Sequence, residues 1–330
     1  MRVLIAGPVA GGSLPVARSV AAAFAHLNDE STFIDFSPYA GEFQKARASL
    51  NEDDQRVFVE TLEKALIRQI EKSMPDVLLG IAQSPLFNVD LLDSLRKSGV
   101  ITTFWFVEDF RVLTYWQRIA PYFDIFFSIQ KESFARALAE IGVFNHYYLP
   151  VAFNNNFDEF PVRTEPRMPI SFVGAPYPNR VRAFEKLPFN VKIFGEGWDR
   201  HSIHGVTADG RRISETEAGF IYRHTEINLN LHSSMNPEVI GGDFVNPRTF
   251  ELAGLGCFQL SDRRECMPYH YSENEVVQFE NDVQMVHLID YYLKNETERN
   301  EIVRNARRKT LRDHLYEHRA MEIMKAVQQL

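Results

Sequence analysis

The chain has 330 residues, of which 45% are hydrophobic and 24% charged, and its formal net charge is −8. That is the balance of a globular protein long enough for two domains, and the negative charge argues against nucleic acid, whose backbone asks for a basic face. No apolar run approaches the roughly 20 residues that span a bilayer, and Cys257 and Cys266 lack metal-ligand or C-x-x-C spacing, so a reducing cytoplasm is the expected compartment.

Short β-rich runs alternate with longer amphipathic stretches from the start. Val3 to Ala6 reads as a buried first strand; four apolar residues before a glycine are too few for the core of a signal peptide. An Ala- and Val-rich helix is expected over Leu14 to Leu27 and a strand over Thr32 to Phe36. Between Gln55 and Lys72, Val57, Leu62, Ala65, Leu66 and Ile70 fall at helical spacing. Pro75 precedes the strand Val77 to Ile81, followed by the helix Val89 to Lys97, closed by Gly99, and the strand Ile101 to Val107. Phe123 to Phe127 reads as core, with a strand over Ile125 to Ile129, a helix over Glu132 to Ile141, and Gly142 as its stop. Strands alternating with helices imply parallel pairing and right-handed crossovers, hence a doubly wound sheet.

A second start follows the linker-like segment from Asn154 to Pro169. Ile170 to Val173 repeats the opening logic, with Gly174, a Pro-containing loop and a helix over Val181 to Leu187. Strands are expected at Val191 to Phe194, ending in Gly195-Glu-Gly-Trp198, and at Ile227 to Leu231, ending in His232. Thr249 to Ala253 opens a helix, Cys257 to Leu260 forms a strand, and the chain from Asp282 is helical, with a last amphipathic helix over Leu311 to Val327. The expected fold class is α/β with two Rossmann-like domains facing a central cleft. The expected boundaries are residues 1–160 for a first Rossmann-like domain, 161–310 for a second, and 311–330 for a closing helix that packs back on the first domain. In such sheets ligands bind at the carboxyl ends of the strands.

The segment from Asn246 to Asp262 carries the clearest chemistry. A loop feeds a helix whose free N–H groups and positive dipole end suit a phosphate. Arg248 is a bidentate donor for that phosphate, and Glu251, about one turn into the helix, can accept hydrogen bonds from two vicinal ribose hydroxyls. A capped helix with a surface glutamate and a tight glycine turn explains the same local pattern, and both readings stay open on the residues alone. Arg180 stands after a glycine-containing βα turn, where a diphosphate sits in these folds. Trp198 either stacks on a base or plugs the core, while Asn230 and His232 stand at a strand end.

The run F-E-L-A-G-L-G-C-F-Q-L-S-D resembles the E-A-x-A-x-G-x-P-V-x-x-x-D stretch of GT-B glycosyltransferases, and is most similar to the spore-maturation CgeB-like group. Asp243 and Glu251, seven residues apart, resemble the E-x7-E signature with Asp in the first place. Ile170 to Arg180, Val191 to Trp198, Thr225 to His232 and His314 to Arg319 are similar to further segments of that group, in order, over nearly all of 168–330. The resemblance implies a nucleoside-diphosphate-sugar donor, UDP-, GDP- or dTDP-linked. Its nucleotide is expected at Arg180, Gly195, His232, Arg248, Thr249, Phe250 and Glu251, with Asp243 near the donor sugar. No cofactor and no metal are implied.

In the first half, Gly11, Gly12 and Ser13 resemble the P-x-x-G-G loop that contacts donor phosphate or acceptor in such enzymes, although a plain βα turn accounts for them as well. The strand from Thr103 ends in Glu108 and Asp109, where a carboxylate could deprotonate or hold an acceptor hydroxyl; Asp109 is the first choice of base and Glu108 the second. The expected reaction is transfer of a sugar to an acceptor hydroxyl of a glycan, protein or small molecule in the interdomain cleft. A non-catalytic sugar-nucleotide-binding protein or a GT-B epimerase is the alternative. The basic run Arg304, Arg307, Arg308, Lys309, Arg312 suits either a solvated helix face or peripheral contact with an anionic membrane.

Overall fold

The computed structural model describes residues 1–27, 30–49, 51–155 and 167–330. The chain divides into two compact units, Met1–Val151 with Tyr316–Leu330, and Ala152–Leu315. The boundary expected at 160/161 lies outside the described residues.

The first unit contains β1 (Val3–Ala6), α1 (Ser13–Leu27), β2 (Ser31–Ile34), α2 (Ala40–Ala48), α3 (Glu52–Ser73), β3 (Val77–Ile81), α4 (Val89–Lys97), β4 (Ile101–Phe106), α5 (Trp116–Ile119), β5 (Ile125–Ser128), α6 (Glu132–Glu140) and β6 (His146–Tyr148). Its six strands run in the order β2-β1-β3-β4-β5-β6, every pair parallel. All residues of β1 and β3 are buried, as expected of strands covered on both faces. The core is aromatic: Phe110 stacks on Phe134 at 4.6 Å, and Trp116 meets the same ring edge-on at 4.9 Å. Helix α3 starts where Asn51 accepts from the Asp53 N–H and three acids follow, a cap and a charge pattern that both favour a helix start.

The second unit contains β7 (Met168–Val173), α7 (Pro178–Glu185), β8 (Val191–Phe194), β9 (Val206–Asp209), α8 (Glu215–Arg223), β10 (Thr225–Asn230), α9 (Pro247–Gly254), β11 (Gln259–Asp262), β12 (Val277–Phe279), α10 (Asp282–Lys294) and α11 (Glu296–Asp313). Its sheet order is β12-β11-β10-β7-β8-β9, again parallel throughout. Trp198 plugs this core rather than facing a ligand: it is 1% exposed, packs on Phe172 and Phe184, and donates from Nε1 to the Gly174 carbonyl at 2.6 Å.

The helical end of the chain is not continuous. It breaks at Asn295 and again at His314, whose carbonyl accepts from the Phe153 N–H at 2.8 Å, so the last helix, α12 (Tyr316–Val327), starts later than Leu311. Helix α12 belongs to the first unit, where Arg319 donates to the Pro150 carbonyl at 2.8 Å and Tyr316 lies against Trp105.

Candidate functional site

The carboxyl edge of the second sheet gathers most of the expected residues. Asn246 caps α9: its Oδ1 accepts from the Thr249 N–H at 3.0 Å and from the Thr249 hydroxyl at 3.1 Å. Pro247 at the first helical position has no N–H to satisfy. The cap therefore engages the Thr249 amide and, among the described residues, leaves that of Arg248 as the donor open at the helix start. Thr249 itself is fully buried, and its hydroxyl also accepts from Asn230 at 2.8 Å. Asn230 in turn accepts from Asn246 Nδ2 at 2.9 Å and from Arg248 at 3.4 Å.

His232 stands on the same edge with both ring nitrogens in use. Nδ1 faces Asp262 at 2.8 Å, and Nε2 accepts the Asn246 N–H at 3.0 Å. That second bond leaves the proton on Nδ1, and burial holds the ring neutral by lowering its pKa to about 4. His232 is thus a strut between β10, β11 and the loop that enters α9. Asp262 also pairs with Arg264, whose charge helps keep the carboxylate ionised well below its usual range against the opposing effect of burial.

Three arginines converge here. Arg180, 6% exposed, donates from Nε and Nη2 to the Leu231 carbonyl and from Nη1 to that of Ala175, all within 3.0 Å. Burial, helped by the charge of Arg248, lowers its pKa to about 9. These three bonds to the backbone brace the β7–α7 loop and hold the guanidinium charge in place. Arg248 and Arg180 both lie near the Phe172 ring, at 5.1 and 5.2 Å. The Nε of Arg248 and that of Arg264 are buried without a hydrogen-bond partner among the described residues. Gly174 makes room for Arg248, as a Cβ there would stand 2.9 Å from Nη2. Arg264 is the residue that sequence reasoning missed; a basic residue two positions after a strand-terminal aspartate was the available signal.

Glu251 is partly buried one turn into α9. Burial pushes its pKa up to about 7, with the charge of Arg248 working the other way. Its carboxylate has no hydrogen bond or ion pair among the described residues. Phe250, by contrast, points into the core against His270, Tyr271 and His314 and is 0% exposed. The helical turn that presents Glu251 turns Phe250 away, so its side chain does not reach the site. Gly195 is required by packing: its φ is 145°, and a Cβ would stand 2.4 Å from the Gly174 carbonyl oxygen. Asp243 is partly buried, with its own carbonyl accepting from the Cys266 thiol at 2.7 Å.

The first unit has its own polar cluster at the ends of β1, β3 and β4. Ser13 donates to Glu108 Oε1 at 2.5 Å, and Gln83 Nε2 donates to the same oxygen at 2.9 Å. Burial raises the Glu108 pKa although both bonds oppose it. Gly11, with φ 101°, lets the loop pass close to Gln83, and Gly12 borders open space. Asp109 has a different fate: Arg111 grips both of its oxygens, at 2.9 and 3.0 Å, and Gln130 adds a weaker bond. Arg111 thus engages both oxygens of Asp109, whereas the bonds from Ser13 and Gln83 to Glu108 both fall on Oε1.

Among the described residues no group of three or more His, Cys, Asp or Glu side chains is arranged to hold a metal, and no helix is long and apolar enough to cross a membrane. On α11, Lys309 and Arg312 both pair with Asp313.

Two all-parallel sheets flanked by helices, with polar clusters at their strand ends, define a GT-B fold. Residues 176–325 match the family model described as glycosyl transferase-like. Among solved structures the chain is similar to Anabaena HepE in complex with UDP and glucose, with a TM-score of 0.68 at 11% identity over 100% of both chains. It is also similar to a glycosyltransferase from Rickettsia africae (TM-score 0.67, 12% identity, 99% of this chain and 98% of that one) and to a sucrose-phosphate synthase from Thermosynechococcus elongatus (0.66, 11%, 99% and 98%). At such identities the likeness is one of fold. Among curated proteins none matches the chain.

Proposed function

We propose that the protein is a glycosyltransferase that moves a sugar from a nucleoside diphosphate to an acceptor hydroxyl, with the donor bound by the second unit and the acceptor by the first. The observation that carries this reading is the surplus of buried positive charge at the carboxyl edge of the second sheet. Arg180, Arg248 and Arg264 stand there against the carboxylates of Asp262 and Glu251, and two of the three keep an unpartnered Nε. Buried donors of this kind favour a bound diphosphate, and they offset the charge that develops on it as it leaves, without requiring a metal.

In this reading Glu251 accepts from the ribose hydroxyls, and Arg248, with its open amide, and Arg264 bind the diphosphate. Arg180 and His232 are positioning residues, Gly195 lets the backbone pass close, and Asp243 lies toward the donor sugar. Gly11, Gly12 and Ser13 border the acceptor side, where Glu108 rather than Asp109 takes the acceptor proton. UDP is the first nucleotide to test, because Anabaena HepE, similar in fold, forms complexes with UDP, with UDP-glucose and with UDP and glucose; GDP and dTDP follow. The CgeB-like group remains the proposed branch, on the motifs from Ile170 onward. Cys257 and Cys266 are both buried thiols, which fits a reducing compartment such as the cytoplasm.

The test is a thermal-shift series with UDP, GDP and dTDP, followed by assay of sugar transfer. One nucleotide is expected to stabilise the wild type, as ligands stabilise the state they bind, and Glu251→Ala to weaken that nucleotide by roughly tenfold or more, about 1.4 kcal/mol. No stabilisation by any of the three would remove the reading. Binding without turnover on any acceptor would favour a non-catalytic sugar-nucleotide-binding protein, and a changed sugar nucleotide from donor alone would favour an epimerase.

A further inference from the structure

We propose that the acceptor is an aromatic alcohol, a phenol whose ring is seated in an apolar cavity of the first unit; this rests on the transferase reading above. The cavity measures about 660 Å³ and is walled by Phe43, Phe58, Leu62, Phe87, Leu113 and Tyr115, with Arg47, Gln55 and Gln83 as its polar side chains. Small-molecule sites fall at about 300–1,000 Å³ with few, well-placed polar groups. A sugar ring against this wall would bury its hydroxyls without partners, whereas an aromatic ring finds other rings. Phe43 and Phe58 lie 5.9 Å apart, and Phe87 meets Tyr115 edge-on at 5.7 Å, the kind of packing a further ring can extend.

Gln83 joins the polar end of the cavity to the cluster of Ser13 and Glu108. Tyr115 Oη accepts from the Gln83 N–H at 2.8 Å, and the Gln83 side chain donates to Glu108. Gln83 holds a left-handed φ of 66°, uncommon for a residue with a side chain, and such strain persists where the surroundings over-determine it, often at functional sites. A ring hydroxyl lying along Gln83 is thereby directed at the Glu108 carboxylate.

The chemistry suits a phenol. Its hydroxyl ionises near pH 10, as in tyrosine, so it yields a proton to a carboxylate more readily than an aliphatic alcohol does. As the phenolic proton passes to Glu108, the oxygen forms a bond to the anomeric carbon. The bond from that carbon to the diphosphate oxygen breaks, and its electron pair leaves with the nucleoside diphosphate.

The experiment uses the full chain, 1-naphthol as the probe, and isothermal titration. Saturable binding of 1-naphthol is expected, weakened roughly tenfold or more by Phe58→Ala and by Val59→Glu, with 1-octanol and methyl glucoside weaker than 1-naphthol by a similar factor. Val59 lies on the cavity wall but is 52% exposed, so the added carboxylate charges the cavity without entering the core. Retention of the nucleotide-dependent thermal shift, whose residues belong to the second unit, reports that the variants are folded. With donor present, a naphthyl glycoside should appear by mass spectrometry. Absence of saturable 1-naphthol binding to protein that a nucleotide still stabilises, equal binding by Val59→Glu, or equal affinity for 1-octanol each overturns the phenol while leaving the transferase reading intact. Naphthol binding to a protein that no nucleotide stabilises removes the transferase reading, and the acceptor role falls with it.

Discussion

Arginine and glutamate at this site are separated from their ordinary surface counterparts by where their bonds go. Arg180 and Arg264 are both buried basic residues, yet the first spends its donors on two backbone carbonyls and the second keeps Nε unpartnered. Glu251 is placed at a cost. Its carboxyl would titrate near 4.5 in an open chain but is pushed up to about 7 in the fold, so its contribution to stability is present below pH 4.5 and lost as pH rises through about 7. Glu251→Gln removes that loss. The variant is expected to be more stable than the wild type at pH 8, by about 1–2 kcal/mol once partial solvent screening is allowed for, and to match it near pH 4. Urea titrations at the two pH values read this directly. A wild type that is the more stable at pH 8 would show that the carboxylate finds a partner in the folded protein. Loss of nucleotide response together with gained stability is the signature of a group kept for function.

At the scale of elements, α9 shows why one short helix can carry a site. Asn246 caps it, Pro247 starts it, and the strut His232–Asp262 holds the loop before it. Its end is set by close packing, because a Cβ on Gly254 would stand 2.4 Å from the Phe153 ring. Alanine normally gains up to about 1 kcal/mol over glycine inside a helix. Here Gly254→Ala is expected to destabilise by about 1–3 kcal/mol through overpacking, and Gly254→Ala combined with Phe153→Ala should lose less than the sum of the two single changes. Additive losses measured by denaturant unfolding would deny the contact. Elements with strong punctuation, such as β1, β3 and α4, were legible in the sequence. Helix α8 was not read although Ser214 and Glu217 form a capping box, and β6, β9 and β12 are three or four residues long, too short for alternation to show.

Each unit buries a hydrophobic cluster of its own, around Phe104, Phe126 and Phe134 in the first and around Phe172, Trp198 and Leu260 in the second. A nucleotide bound at the second unit should therefore slow hydrogen exchange most strongly in residues 171–180, 228–234 and 244–264, with lesser change in 1–27 and 77–110. Mass-spectrometric exchange with and without UDP measures this, and protection centred on the first unit would relocate the donor site.

The sequence by itself determined the α/β class, the parallel sheets and the candidate loops, because period, turn residues and caps are properties of short segments. It also singled out Glu251, one turn into a recognisable helix. Only the tertiary structure decided which polar groups are spent on one another. Ser13 and Glu108 are 95 residues apart, and His232 and Asp262 are 30 apart. Hydrogen bonds of this length in sequence depend on which strands lie side by side, and burial, which sets the proton affinity of Glu108 and Glu251 and confines Phe250 to the core, exists only once the sheet is covered.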